Sequence, residues 1–180
     1  MTRPPDPRKL DVAAVAADAV TLEGHWPLAG FPRLADGEAP QDGDVQWSVR
    51  GERRPVVGTV PETWLHLAAR ARVWRDCQRC LQPVALEIDV VRALRFVADE
   101  ATAEALDADS EDDVLALPHS LDLHELFEDE LLLALPIVPM HARCPVALAT
   151  MVGIDEAAPG SEPPAHPFAG LAVLKRSRDA

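Results

Sequence analysis

The strongest constraint on the fold is an alternation of side chains between residues 63 and 74. Aliphatic or small side chains occupy most odd positions, while the even positions include Trp64, Arg70, Arg72 and Trp74. A repeat of two is the period of a β-strand, whose successive side chains point to opposite faces of a sheet. The run therefore predicts a strand with one face in a core and its arginines on the other face.

Weaker patterns extend this strand into a sheet. A turn is predicted at 51–55, between two of the strands. The fold class that follows is α+β: an antiparallel sheet over about residues 45–117, which could close into a barrel, with helices packed on one side. The other strands are predicted at 45–50, 56–60, 86–96 and, as an edge strand, 114–117.

The helix predicted at 122–135 carries the clearest signals. Asp122 can cap its first turn, and Glu125 follows three residues later, which is the spacing of a capping box. An alanine-rich stretch predicts a second helix at 8–20. Residues 99–113 are acidic and rich in alanine, which predicts a mobile loop with a helical part.

Residues 1–150 are predicted to form one domain, and residues 151–180 a flexible appendage. Four prolines between 152 and 167 are typical of a disordered, proline-rich linker. A short helix is predicted at 167–176, where an apolar stripe would be formed by Phe168, Leu171 and Leu174.

The charge of the chain is unevenly distributed. The net charge is −13, and the stretch Asp99–Glu130 contains no lysine or arginine. No apolar run is long enough to cross a membrane, and the charged, proline-rich N-terminus lacks the apolar region of a secretion signal. A cytoplasmic protein without a membrane partner is predicted, and its acidic surface favours a basic partner.

Two regions could bind a charged macromolecule. The stretch Arg50–Leu81 is locally basic and is predicted to face RNA phosphates. Its candidate residues are Arg50, Arg53, Arg54, Arg70, Arg72, Arg75 and Arg79. The alternative is that an acidic segment binds a basic protein, and its candidates are Asp109, Glu111, Asp112 and Asp113.

The three cysteines fall into two short motifs separated by 60 residues. Cys77 and Cys80 form a C-x-x-C pair, and His141 and Cys144 form an H-x-x-C pair. Three thiolates and one imidazole are a ligand set of structural Zn²⁺ sites. The hypothesis is one closed zinc site on these four residues. The alternatives are free thiols or a redox pair, and the dispersed histidines, such as His124, are expected in solvent.

Three motifs resemble the YceD family of bacterial proteins, which is associated with the accumulation of large-subunit ribosomal RNA. They are CQRCL at 77–81, the acidic helix followed by LALPIVP within 122–144, and the tail 166–176. The resemblance implies a non-enzymatic factor that supports synthesis, processing or stability of this RNA by binding RNA or a basic ribosomal protein. The alternative is a small thiol- or metal-dependent enzyme built on Cys77, Cys80 and Cys144.

Overall fold

The computed structural model describes residues 4–36 and 42–145, which contain one five-stranded sheet with helices on one face. The strands lie side by side in sequence order, and the first four pair antiparallel, while the last runs parallel to its neighbour. The α+β prediction is confirmed. Within the described ranges the first and last strands form two free edges, so the sheet is open rather than closed into a barrel. The strands are β1 (Thr21–Pro27), β2 (Asp44–Arg54), β3 (Glu62–Asp76), β4 (Pro83–Val97) and β5 (Asp113–Ala116).

The helix predicted near Asp122 is confirmed. It spans Leu123–Leu133, and the Asp122 carboxylate accepts hydrogen bonds from the backbone N–H groups of His124 and Glu125. The N-terminal helix is shorter than predicted, because Asp11 caps its start and Ala19 has a positive φ of 49° just beyond its end. The helices are α1 (Val12–Ala17), α2 (Glu100–Asp107) and α3 (Leu123–Leu133), with a 3-10 turn at Leu28–Gly30.

The alternation predicted in β3 determines which face of the sheet is covered. Leu65, Leu67 and Val73 are fully buried, and the buried side chains of β4 (Ile88, Val90 and Leu94) continue the same apolar face. Helices α1 and α3 lie against this inner face, where Phe127 is completely buried. Burial of an aromatic side chain of this size stabilises the folded state by about 1.5–3 kcal/mol. The even positions of β3 lie on the outer face, which no described helix covers.

Helix α3 is fixed to the chain before β2 by a buried carboxylate. Glu128 accepts hydrogen bonds from the backbone N–H groups of Arg33 (2.7 Å) and Leu34 (3.2 Å), and the Arg33 guanidinium lies 3.0 Å from its second oxygen. Burial raises the pKa of Glu128, but these hydrogen bonds outweigh that effect and hold the pKa below its usual value. His124 is also buried, against expectation, because its ring stacks on Phe31 with centroids 4.0 Å apart.

The strand predicted at 56–60 is wrong. Residues 55–61 form the connection between β2 and β3, and its valines are exposed. Pro55 and Pro61 lack the N–H donors that a strand needs, and Gly58 has a φ of +83° that belongs to a turn. Valine content favoured a strand, but the prolines and the turn override it.

The turn predicted at 51–55 is also wrong, because β2 continues through Arg54. Gly51 belongs to the strand, and a Cβ atom there would lie 2.3 Å from the carbonyl oxygen of Val15. Glycine is needed because α1 approaches the sheet closely at this point. The edge strand β1 was not predicted, for a related reason. Its Gly24 interrupts the strand pattern in the sequence, and in the structure this glycine lies under the ring of Trp47.

Candidate metal site

The connection between β3 and β4 is a tight loop that carries the first two cysteines. The N–H of Cys77 donates to the carbonyl of Gln82 (3.0 Å), and the N–H of Leu81 donates to the carbonyl of Cys77 (2.8 Å). Leu81 has a φ of 59°, the left-handed conformation that completes the reversal of the chain. This loop brings both thiols to the same end of the sheet.

The segment after α3 reaches the same loop from the other side. Its Pro139 carbonyl accepts a hydrogen bond from the N–H of Gln78 (2.9 Å). The N–H of His141 in turn donates to the sulfur of Cys77 (3.4 Å). The two chain segments are therefore joined by backbone contacts, and we call them together the clasp (residues 77–82 and 136–145).

The four predicted ligands converge in the clasp. The ligand atoms of Cys77, Cys80, His141 and Cys144 all lie within 4.8 Å of one another. The sulfurs of Cys77 and Cys144 are 4.0 Å apart, and the Cys80 sulfur is 3.5 Å from Nδ1 of His141. Zinc–sulfur bonds of about 2.3 Å place tetrahedral sulfur ligands about 3.8 Å apart. The four residues therefore lie close enough to hold a metal ion.

The orientation of the His141 ring suits metal coordination. Its Nε2 lies 3.1 Å from the carbonyl oxygen of Pro83. A carbonyl can only accept, so Nε2 carries the proton and the lone pair of Nδ1 faces the sulfur of Cys80. A hydrogen bond from the second ring nitrogen to a backbone carbonyl is the usual means of orienting a histidine ligand.

The thiols differ in how readily they ionise. Burial raises the pKa of Cys77, but backbone N–H groups of His141, Arg79 and Cys80 outweigh that effect and lower the pKa to about 5. Burial raises the pKa of Cys80, and the neighbouring sulfurs raise it further. Three adjacent thiolates would repel one another, and a bound cation would offset that repulsion.

Arg79 belongs to the clasp. Its Nε donates to the sulfur of Cys144 (3.0 Å), and its Nη2 donates to the carbonyl of His141 (2.9 Å). A single guanidinium thus bonds to the segment that supplies the second pair of ligands. Arg79 is one of the seven arginines that are predicted from the sequence to face RNA phosphates. Its position between Cys77 and Cys80 in the sequence was the signal that its side chain could instead donate hydrogen bonds within the cysteine cluster.

Access to the clasp is limited for the thiol that ionises most readily. Cys77 has no exposed surface. A catalytic thiolate needs contact with its substrate, whereas a buried thiolate held by N–H groups is suited to a metal. The burial of Cys77 and its lowered pKa are compatible with a metal ligand.

The seven predicted RNA-facing arginines do not form one surface. The register between strands places Arg50, Arg54, Arg70 and Arg72 on the outer face of the sheet. Arg53 and Arg75 alternate to the opposite side, and Arg75 donates to the carbonyl of Leu34 (2.7 Å). With Arg79 in the clasp, only four of the seven share a face.

Those four arginines each lie beside a carboxylate. Arg70 pairs with Asp89, and Arg72 pairs with Glu87 at 3.0 Å. The side chains of Arg50 and Arg54 both lie within 3.6 Å of the Glu52 carboxylate. The Arg54 guanidinium also covers the ring of Trp64 at 4.2 Å, so this tryptophan is buried rather than open to a stacking base.

The acidic candidates lie at the other end of β4 from the clasp. Asp109, Glu111 and Asp112 are exposed in the connection from α2 to β5, and Asp113 is exposed at the first position of β5. In the described ranges no lysine or arginine forms an ion pair with any of the four. The tail residues Phe168, Leu171 and Leu174 lie outside the described residues.

Comparison with known families identifies the chain. The family described as "Large ribosomal RNA subunit accumulation protein YceD" matches residues 65–175. The chain belongs to the YceD family. The YceD match begins within β3 and includes β4, α3 and both halves of the clasp. Its family description links the chain to the accumulation of large-subunit ribosomal RNA.

No solved structure matches the chain. None of its described helices combines the length and the hydrophobicity that crossing a bilayer requires.

Proposed function

We propose that this protein is a non-enzymatic factor of large-subunit biogenesis that binds a basic ribosomal protein during assembly. The family supplies the link to large-subunit ribosomal RNA. The observation that carries the choice of partner is the state of the charges. The outer-face arginines lie beside carboxylates, whereas Asp109, Glu111 and Asp112 have no paired cation among the described residues. Such a factor acts in the cytoplasm, where the large subunit is assembled.

The distribution of paired charges favours a basic protein over RNA as the partner. Asp89 and Glu87 lie against Arg70 and Arg72, so they partly neutralise these arginines and would repel an approaching RNA phosphate. A lysine- or arginine-rich protein segment meets no such competition at Asp109, Glu111 and Asp112. Long-range attraction from a chain of net charge −13 also favours a basic protein over a nucleic acid.

The metal site has a structural role in this proposal. Cys77, Cys80, His141 and Cys144 would hold one Zn²⁺ with all four positions filled by the protein. When bound, the ion supplies the positive charge that allows three thiolates to lie together. The residues of the clasp then fix the segment after α3 against the end of the sheet, and no position remains for a substrate.

Co-migration with precursor large subunits tests the proposed function. Lysate from cells carrying a tagged copy is fractionated on a sucrose gradient, and the tag is followed together with the large-subunit ribosomal RNA. We expect the protein in the precursor fractions, and we expect large-subunit RNA to decrease when the protein is removed. A protein that stays at the top of the gradient, with unchanged RNA in its absence, would contradict the proposal.

A further inference from the structure

A cleft lies at the end of the sheet opposite the clasp, and we call it the far cleft. Its lining includes three neighbouring residues of the inner face, one from each of three strands: Arg53 of β2, Thr63 of β3 and Phe96 of β4. Helices α1 and α2 add Ala13 and Leu106. Its volume of about 530 Å³ lies within the range of roughly 300–1,000 Å³ that is typical of sites for small molecules.

Most side chains that line the far cleft are apolar. Val60 and Pro61 lie in the connection between β2 and β3, and Leu117 follows β5. Phe96 is buried, whereas Val60, Leu106 and Leu117 remain exposed to solvent. Apolar side chains around a recess remove the aliphatic part of a ligand from water, which favours binding. The far cleft is therefore suited to a ligand with an aliphatic chain.

Within the described part of the chain, the charges that line the far cleft reduce to one unpaired cation. The charged lining residues are Arg53, Glu62 and Arg95. Nη2 of Arg95 lies 2.8 Å from one carboxylate oxygen of Glu62, and the other oxygen accepts a hydrogen bond from Nε1 of Trp64 (2.9 Å). The guanidinium of Arg53 has no ion pair or hydrogen bond with any residue of 4–36 or 42–145, unlike every other arginine of the strands.

We propose that the far cleft binds a small aliphatic carboxylate, a fatty acid of medium chain length. The head group lies against the guanidinium of Arg53, whose parallel N–H groups match the two oxygens of a carboxylate. The hydroxyl of Thr63, which is the neighbour of Arg53 across the strands, can donate a further hydrogen bond. The aliphatic chain packs along Val60, Leu106 and Leu117.

Two other amphiphiles fit the far cleft less well. A phosphate ester with two negative charges would leave its second charge near Glu62 with no cation to balance it, because Arg95 is already paired. A cationic amphiphile would meet Arg53 as a like charge. The site is independent of the proposed function, since the ribosomal partner is assigned to Asp109, Glu111 and Asp112. Failure of either proposal therefore leaves the other standing.

Calorimetric titration of the full chain with decanoate, below its micellar concentration, tests the site. We expect saturable binding of one decanoate per chain. Octanoate should bind about 15-fold more weakly, because each methylene group removed from an apolar site weakens binding about fourfold. Wild-type protein that takes up no decanoate, or that binds octanoate equally well, would overturn the proposal.

The substitution Arg53→Gln separates recognition of the head group from recognition of the chain. The affinity for decanoate should fall about tenfold, while the affinity for decanol, which has no charge, should stay unchanged. Because Arg53 is exposed and unpaired among the described residues, the melting temperature should not change. The matched control is Arg50→Gln, on the same strand but on the outer face, and it should bind decanoate as the wild-type protein does. Equal decanoate affinity of the wild-type protein and the Arg53→Gln variant would reject the assigned head-group site.

Amide chemical shifts of the full chain locate the bound ligand. On titration with decanoate we expect saturable shifts at Thr63, Phe96 and Leu106, and none at Gln78 in the clasp. Leu106→Ser, which removes part of the apolar lining at a partly exposed position, should weaken the binding of both decanoate and decanol. Shifts that do not saturate, or that spread over the outer face, would show adsorption of a surfactant only and would contradict a built site.

Discussion

The clasp and the outer face of the sheet differ in how sequence spacing relates to position in the fold. The clasp brings together four candidate ligands from segments separated by 60 residues, and all their potential ligand atoms lie within 4.8 Å of one another. The arginines come from adjacent strands, and yet they divide between two faces and the clasp. Metal coordination has fixed bond lengths and so requires convergence. A charge requires only some opposite charge nearby, so a basic stretch of sequence does not define a basic surface.

The largest effect is expected when a ligand is removed from the clasp. Cys80→Ser should abolish zinc binding, because it removes one of the four candidate ligands. The clasp should then lose the contribution of the metal to local folding, which is on the order of 10 kcal/mol at structural sites. Elemental analysis should find one zinc per chain in the wild-type protein and none in the variant. The amides of Gln78 and His141 should exchange hydrogen faster, while those of β2 and β3 remain protected.

Gln82→Ala is the control for the clasp, because Gln82 lies in the same loop and is exposed. It should retain the full zinc content. Wild-type protein that is purified without chelators and contains no zinc would contradict the metal assignment.

The next effect concerns a buried ion pair, in contrast with the exposed pairs of the outer face. The pKa of Glu128 is lower in the folded state than in the unfolded state, so its ionised form adds to the free energy of unfolding. This stabilisation is fully present above the unfolded-state pKa of about 4.3 and is lost as the pH falls through the folded-state pKa. Glu128→Gln should lower the free energy of unfolding at pH 7 by about 1.5–3 kcal/mol. Denaturation at several pH values should show this difference shrinking in acid.

Glu104→Gln is the control for Glu128, since Glu104 is exposed on α2. It should leave the free energy of unfolding unchanged across the same pH range. A loss of stability at Glu128→Gln that is equally large at pH 3 and pH 7 would show that its charge is not what stabilises α3.

A smaller effect should distinguish Arg79 from the other arginines. Arg79→Gln should weaken zinc affinity about 10- to 100-fold, because a partner of a ligand sulfur is lost while all four ligands remain. Competition with a chromogenic chelator measures this change. Arg70→Gln, whose side chain pairs with Asp89 on the outer face, should leave the affinity unchanged. Identical effects of the two substitutions would remove the distinction between the clasp and the outer face.

The smallest effect is expected for the ion pairs of the outer face. Arg70 and Asp89 have side chains that are 70% and 58% exposed. Solvent screens such pairs, so Arg70→Ala should shift the melting temperature by at most about 2 °C. Arg33→Ala, which removes the partner of the buried Glu128, should cause a larger decrease. A large decrease for Arg70→Ala would show that the outer-face pairs hold the fold.

Periodicity and capping predicted the parts of the fold that depend on local sequence. The alternation in β3 identified its buried face, and Asp122 identified the start of α3. The strand β1 and the extension of β2 through Gly51 could not be predicted, because their glycines are explained only by the approach of Trp47 and α1. Those contacts join segments that are distant in the sequence.

The candidate site could be predicted as far as side-chain chemistry allowed. Ligand types and spacing identified Cys77, Cys80, His141 and Cys144, which do converge. The carbonyl of Pro83 that orients His141 could not be predicted, because every residue has such a group. The ion pairs of Arg70 and Arg72 depend on the register between β3 and β4, which the sequence pattern does not determine.

The most direct test of the proposed partner compares two variants in co-sedimentation with precursor large subunits. One carries Asn or Gln at the four acidic positions, and the other carries Gln at Arg50, Arg70 and Arg72. If a basic protein is bound, the acidic variant should be released while the arginine variant stays bound. Release of the arginine variant, with a salt dependence flattened by about 0.7 to 0.9 per lost phosphate contact and the acidic variant still bound, would contradict the account.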